Sequence, residues 1–274
     1  MQNGEKMICC LGPRGSYSEK AAVTFSKAIN DSEIQFEDSI YNVFKAVETN
    51  PEFFGVVPSE NSIGGSVSIT QDLLLEFPVK ILGEVDISIN HCLLGYDIKK
   101  VTEVLAHPQA LAQCGHYITK NNWNITPVDS NAKAAKIVSE EKDEKLAAIC
   151  GVENAEIYGL NVLDEYIQDF KNNTTRFFLI CNKNKNFKTD LKPKKASIVV
   201  ELNKNMPGAF YEVLGVFKYR NVNLTRIESR PSKKEIGNYV FYIDYEYYDD
   251  NSALLRDLRI WALNVIELGN YFVL

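Results

Sequence analysis

The residues of this chain best suited to chemistry lie together in Asp169-Phe170-Lys171-Asn172-Asn173-Thr174-Thr175-Arg176-Phe177. Two carboxamides, two hydroxyls and one guanidinium there precede the apolar run Phe177-Phe178-Leu179-Ile180. An aromatic or β-branched run bounded by an Asn cluster reads as an interior sheet strand. Polar groups at the mouth of such a strand lie where a buried sheet meets a cleft, the usual place for ligands in open α/β sheets. The chemistry on offer is directed hydrogen bonding plus one bidentate anion contact. The plain alternative is a turn with a surface arginine, because short polar motifs carry little specificity on their own.

Three more polar stretches open onto helices. Gly12-Pro13-Arg14-Gly15-Ser16-Tyr17-Ser18 follows an apolar strand, and Ser16 with Glu19 has capping-box spacing. This loop lacks the Gly-Lys-Ser/Thr ending of a nucleotide-binding loop, yet a helix start after a Gly-rich turn can seat an anion. Pro58-Ser59-Glu60-Asn61-Ser62-Ile63-Gly64-Gly65-Ser66 supplies two glycines and three serines before another helix. In Ala106-His107-Pro108-Gln109, Pro108 suits a first helical turn, and Gln109 and Gln113 share one face of that helix. Arg14 and Arg176 are the only arginines in the first 180 residues, although lysine is plentiful. A guanidinium fork suits a small carboxylate better than a mobile ammonium does, so both are candidate ligand contacts.

Composition narrows the classes. A net charge of −6 argues against nucleic acid, which needs a basic face. His91, His107 and His116 lack metal-ligand spacing, so no metal is expected. The six cysteines form no CxxC pair and sit in apolar segments, as small buried hydrophobes of a reducing compartment do. No apolar run approaches the ~18 residues that cross a bilayer, and residues 1–6 hold no signal-peptide core. A cytoplasmic protein that does not contact membrane is the expectation.

The elements that must position these residues alternate strand and helix from residue 7 to about 180, which predicts an α/β architecture with mostly parallel sheets. Strands are expected over 7–11, 34–36, 54–57, 101–105, 123–128 and 146–149, and helices over 19–29, 39–48 and 132–140. One further helix is expected to run without a break from Pro108 through Leu111, Cys114, Tyr117 and Ile118. A long or broken strand over 79–94 and a return near Ile167 predict two lobes joined by two crossings, near 78 and 166, with the ligand between them. Residues 183–194 read as a Lys/Asn-rich linker. After it, strands at 196–202, 222–229, 239–247 and 271–274 and helices at 207–219 and 253–268 give the order βαββαβ of a ferredoxin-like domain. At 274 residues, about two domains are expected, 1–182 and 195–274.

Four separated segments carry a resemblance to one family. Residues 55–67, 106–114 and 167–177 resemble prephenate dehydratase, and Asn223-Leu224-Thr225-Arg226-Ile227-Glu228-Ser229-Arg230-Pro231 resembles the motif of the ACT regulatory domain fused to it. Residues 12–18 are similar to that family's first loop. The resemblance implies two periplasmic-binding-protein-like lobes plus a ferredoxin-like ACT domain, paired into a dimer or tetramer through the latter. It also implies conversion of prephenate to phenylpyruvate, with feedback by L-phenylalanine. Aromatisation supplies much of the driving force, so no redox cofactor is needed. Thr175 is then the expected donor to the departing hydroxyl, a positioned hydrogen bond in a dry site. Arg176, Asn173, Asn61, Ser62, Ser66, Gln113, Arg14 and Phe177 are candidate substrate contacts, Phe177 with a core role as the alternative. Pro207, Gly208, Ala209 and Phe210 with Glu228, Ser229, Arg230 and Pro231 are the implied effector site. Two residues depart from the family pattern: Ala106 where Ser is usual, implying one missing site hydroxyl, and Phe210 where Leu is usual, implying a narrower effector pocket. Arogenate, with an amino group on its tail, is the rival substrate. A non-catalytic sensor of small anions or amino acids is the rival class.

Overall fold

The computed structural model describes residues 7–29, 32–202, 207–232, 238–248 and 250–274. The opening segment 1–6, read above for the absence of a signal sequence, lies outside them. The chain forms two compact units, one of Met1–Phe77 with Val85–Asn182 and one of Pro78–Glu84 with Lys183–Leu274.

In the first unit, one lobe begins with β1 (Met7–Leu11), α1 (Tyr17–Ala28), β2 (Glu33–Glu37), α2 (Ile40–Thr49) and β3 (Phe54–Asn61). It continues through β4 (Gly65–Ser66), α3 (Ser68–Glu76) and β5 (Val79–Ser88), whose residues from Val85 onward belong to this unit. Ile8, Cys10, Phe25, Val43, Phe44 and Val56 are fully buried and form its interior. The second lobe holds β6 (Cys92–Gly95), β7 (Glu103–Ala106), α4 (Pro108–Gln113), α5 (Gly115–Asn121), β8 (Asn124–Pro127), α6 (Asn131–Glu141), β9 (Leu146–Cys150), α7 (Glu153–Tyr158) and β10 (Asn161–Asp164). Finally β11 (Thr174–Asn182) returns to the first lobe, antiparallel to β3.

Both sheets of this unit are mixed. In the first, β1 is parallel to β2 and β3, and β11 is the antiparallel intruder. In the second, ordered β10-β6-β9-β7-β8, β7 is parallel to β8 and β9 while β6 runs against β9 and β10. Successive strand residues serve opposite faces: Leu93, Val104 and Ile149 enter one apolar cluster, and Cys92, Leu94 and Cys150 enter the other. Helices therefore cover both faces, as the alternating strand–helix pattern requires.

The first crossing between lobes falls at Ile89–His91 rather than near 78, because β5 runs ten residues before the chain leaves its sheet. The second occupies Ile167–Asn173. The two crossings lie side by side: Ile89 N–H donates to Asn173 O (2.8 Å), and Ile167 N–H to His91 O (3.0 Å).

The helix expected to run unbroken from Pro108 breaks at Cys114, which ends α4 and begins α5. The cause is tertiary. The second crossing docks at the break, with Asp169 N–H on Gln113 O (2.7 Å) and the Asp169 carboxylate accepting from His116 N–H (3.3 Å).

The second unit is β12 (Lys195–Leu202), α8 (Ala209–Tyr219), β13 (Leu224–Pro231), β14 (Tyr239–Glu246), α9 (Ser252–Trp261) and β15 (Ala262–Val273). Its sheet order β13-β14-β12-β15 is ferredoxin-like, and both helices pack on one apolar cluster around Val213, Phe217, Leu255 and Leu258. The helix expected over 253–268 stops at Trp261, and Ala262 opens a twelve-residue strand. Leu258, Val265 and Leu268 mimic helical spacing, but pairing of Ala262–Tyr271 along β12 overrides that local pattern.

Residues 78–84 pack with this unit: β15 pairs Phe272 with Gly83, and Lys195 Nζ meets the buried Glu84 carboxylate at 2.5 Å. A cut near residue 183 therefore does not separate the two units cleanly. Gly269 has φ +145°, and a Cβ there would strike the backbone N and O of Ile81, which cannot rotate away. Gly269→Ala is expected to lower stability by about 1–3 kcal/mol, the usual scale of overpacking. The urea unfolding midpoint checks it; an unchanged midpoint would show the strand able to yield.

Candidate active site

Asn61 ends β3, and its Oδ1 accepts from Ile63 N–H (3.1 Å) and Gly64 N–H (2.8 Å). A backbone N–H can only donate, so the carboxamide has one possible orientation, with Nδ2 towards β11. There Nδ2 reaches Asn173 Oδ1 (2.8 Å), Thr175 Oγ1 (2.9 Å) and Thr174 O (3.2 Å). Asn173 in turn donates from Nδ2 to Gln113 Oε1 (2.9 Å), which lies within 2.9 Å of His91 Nε2. Ser62 adds two stitches, N–H to Thr174 O (2.9 Å) and Oγ accepting from Thr174 N–H (3.0 Å). The turn after β3 and the mouth of β11 thus form one rigid piece that reaches into the second lobe.

Polarity decides what Thr175 can do. Its oxygen accepts from Asn61, so its own hydrogen must point elsewhere, and among the described residues it meets no protein acceptor. Thr175 lines a cavity of about 490 Å³ between the lobes, together with Ser16, Tyr17, Asn61, Ser66, His107, Gln113 and Asn131. That volume suits a small ligand.

Among the described lining residues there is no lysine or arginine. Helix starts face the cavity instead, beside one carboxylate, that of Asp129. The first residues of α1 and α6, capped by Ser16 and Ser130, line the cavity, as does Val67, where α3 begins without a side-chain cap. Free amides and aligned peptide dipoles at such starts attract carboxylates. The Gly15 amide is already taken by the Glu19 carboxylate (2.5 Å).

The lobes also meet at the first loop: Asn154 Nδ2 donates to Gly15 O (2.9 Å), Tyr158 OH to Arg14 O (2.9 Å) and Tyr17 OH to Asn90 O (2.5 Å). Gly15 has φ +86°, and a Cβ would collide with the Asn154 side chain, so this approach requires glycine.

Of the candidates named from sequence, Thr175, Asn61, Ser66 and Gln113 line the cavity, and the buried Asn173 supports two of them from behind. Ser62 acts as a stitch. Arg176 does not line it. The register sets Thr175 opposite Asn61 and Arg176 opposite Glu60, adjacent strand residues face opposite sides, and Arg176 pairs with Glu60 at 3.3 Å. Arg14 is exposed and contributes its carbonyl to Tyr158 rather than a guanidinium to the cavity. Phe177 is buried core. Ala106 is fully buried in the cluster with Val104 and Ala110 and is not itself a lining residue, although its neighbours His107 and Ala110 are.

In the second unit, Pro207, Gly208, Ala209 and Phe210 lie at the start of α8, where Gly208 has φ +79° and no side chain caps the helix. Glu228, Ser229, Arg230 and Pro231 end β13, with Arg230 and Glu228 4.0 Å apart. Phe210 stacks on Phe241 at 4.1 Å and so packs against the unit's core.

Tyr17, His91, Ser130 and Asn131 also line the cavity, and the sequence reading gave none of them a role there. Burial holds the His91 imidazole below its usual pKa, hence neutral, and pushes the thiols of Cys9, Cys10 and Cys114 up to about 12, removing them as nucleophiles. Among the described residues no three His, Cys, Asp or Glu side chains gather as a metal site, and no helix is long and apolar enough to cross a membrane.

Fold and site together define a two-lobed α/β protein whose cleft offers hydroxyl, carboxamide and helix-start donors to a small anionic ligand. The model of the prephenate dehydratase family matches residues 8–185. A prephenate dehydratase of Methanocaldococcus jannaschii is 53% identical over 97% of this chain and 98% of its own length. Arogenate dehydratase 2 of Petunia hybrida is 40% identical over 92% of this chain and 66% of its own. The solved structure of a prephenate dehydratase from Arthrobacter aurescens, in complex with L-Phe, superposes with a TM-score of 0.85 at 29% identity, covering 97% and 89% of the two chains. The chain belongs to the prephenate dehydratase family.

Asn61→Asp tests the rigid piece. It keeps the acceptor for the turn, loses both N–H donors and sets a carboxylate against Asn173 Oδ1. A loss of about 1–3 kcal/mol is expected, the scale for unsatisfied buried polar groups. Chemical denaturation reads it, and wild-type stability would mean the orientation assigned to Asn61 is wrong.

Proposed function

We propose that the chain converts prephenate to phenylpyruvate and that residues 1–182 form the catalytic part. The observation that carries this reading is the outward-facing hydroxyl of Thr175 in a cavity lined by helix starts. The reaction breaks the bond from the ring to its carboxylate, which leaves as carbon dioxide. The electron pair enters the ring, and the opposite C–O bond breaks as hydroxide departs and takes up a proton. Aromatisation drives both cleavages. A threonine is a weak acid, so its contribution is a hydrogen bond that strengthens as charge develops on the leaving oxygen. The helix starts hold the carboxylates, and Gln113 and Ser66 add neutral donors. Enclosure between the lobes excludes water, which sharpens every such interaction.

Incubation of the purified protein with prephenate should yield phenylpyruvate. Phenylalanine formed faster from arogenate than phenylpyruvate from prephenate would transfer the assignment to arogenate, the substrate named for the Petunia relative. Turnover of neither would leave a sensor. Thr175→Val should lower kcat by on the order of 10²-fold with little change in KM, because the hydrogen bond matters mainly in the transition state. Steady-state kinetics on the folded variant measure this, and an unchanged kcat would remove Thr175 from the mechanism.

We further propose that residues 195–274, after a linker at 183–194, form an ACT domain that binds L-phenylalanine, and that copies pair through it into a dimer or tetramer in the cytoplasm. Support comes from the ferredoxin-like topology, the open space around Gly208 and the L-Phe complex of the Arthrobacter relative. The uncapped start of α8 offers amides to the amino acid's carboxylate. Because Phe210 rests on Phe241, it need not narrow that pocket. Calorimetry of the full chain should show saturable phenylalanine binding, weakened by Gly208→Val. Activity should fall by roughly 5–150-fold at saturation, the usual range of allosteric coupling. No binding and no change in rate would refute the regulatory assignment alone.

A further inference from the structure

His91 opens the second lobe directly after the first crossing; the residue is 1% exposed and belongs to the cavity wall. Its Nε2 lies 2.9 Å from Gln113 Oε1, an atom that can only accept. The direction of that bond follows from the backbone: Ile63 and Gly64 N–H fix Asn61, Asn61 fixes Asn173, and Asn173 Nδ2 points Oε1 of Gln113 inward. The proton of the imidazole must therefore sit on Nε2. The other nitrogen, Nδ1, is buried and has no partner among the described residues. A buried nitrogen without a partner carries its full desolvation penalty, so an apolar residue would serve packing alone better. What the histidine supplies is its single N–H.

We propose that His91 is a positioning residue for the substrate site. With Asn173 it occupies both lone pairs of Gln113 Oε1 and thereby holds the Gln113 carboxamide with its Nε2 hydrogens towards the cavity. Among the described residues those hydrogens have no protein acceptor, so they are available to a substrate carboxylate or carbonyl. Without His91 one constraint on the amide is lost, and Gln113 can turn its oxygen towards an anionic ligand, which repels it.

The kinetic part of the test rests on the dehydratase reading, so wild-type turnover of prephenate is established first; its absence would overturn that reading and leave the hydrogen-bond geometry to be judged by NMR. ¹⁵N NMR of the full chain should show the His91 ring protonated on Nε2, whereas protonation on Nδ1 alone would overturn the proposal. In kinetics, His91→Leu should raise KM about tenfold or more with a smaller change in kcat, and His91→Gln, whose amide nitrogen can reach the place of Nε2, should restore most of it. In a Gln113→Ala background the same His91→Leu change should add almost nothing, because the two residues act as one unit. An unchanged KM, or a full additional loss without Gln113, would overturn the proposal. If the leucine variant does not fold, His91→Gln and His91→Asn replace it. Glutamine should keep KM near wild type and the shorter asparagine should not, and equal behaviour of the two would count against the positioning role.

Discussion

Two backbone amides, those of Ile63 and Gly64, accepted by one side-chain oxygen of Asn61, set the polarity of the whole site. Carboxamides are ambiguous in isolation because oxygen and nitrogen can exchange places. Here the ambiguity is removed at one end by donors that cannot become acceptors, and the choice passes along Asn173 to Gln113. The same choice makes Thr175 an acceptor towards the protein and hence a donor towards the cavity. A hydroxyl whose hydrogen is directed before the ligand arrives needs no reorganisation during the reaction, which is where preorganised sites gain most. The chain also links the lobes, since Asn61 and Thr175 belong to the first and Gln113 to the second.

The second constraint is electrostatic. A ligand with two carboxylates would ordinarily be expected to meet arginine or lysine, yet the described cavity wall holds neither. Helix starts from both lobes line it, with α1 and α3 from the first and α6 from the second. Such partial charges are fixed by the backbone and carry no side-chain entropy cost, and they leave no strong cation to trap the product.

Sequence reasoning singled out the polar mouth of β11, where three polar residues precede Phe177 to Ile180, and the structure sets Thr175 of that mouth on the cavity wall. It failed on Arg176 because side-chain type was weighed before register. Strand alternation, applied to the pair Thr175 and Arg176, would have sent them to opposite faces. The break at Cys114 and the change from helix to strand at Ala262 were not legible locally, since the docked Asp169 segment in one case and the β12 partner in the other decide them. For Ala106 the family comparison marked a substitution without saying how the residue sits, which is buried beside Val104 and Ala110. His91 carried no spacing signal at all, because its role is defined by Gln113, 22 residues away.

The central claim concerns where hydrogens sit, and neutron diffraction from deuterium-exchanged crystals addresses it most directly. Nuclear density should place two deuterons on Asn61 Nδ2, facing β11, with the Thr175 hydroxyl deuteron directed into the cavity. A Thr175 deuteron pointing at Asn61, with the carboxamide reversed, would contradict the account of how this site is built.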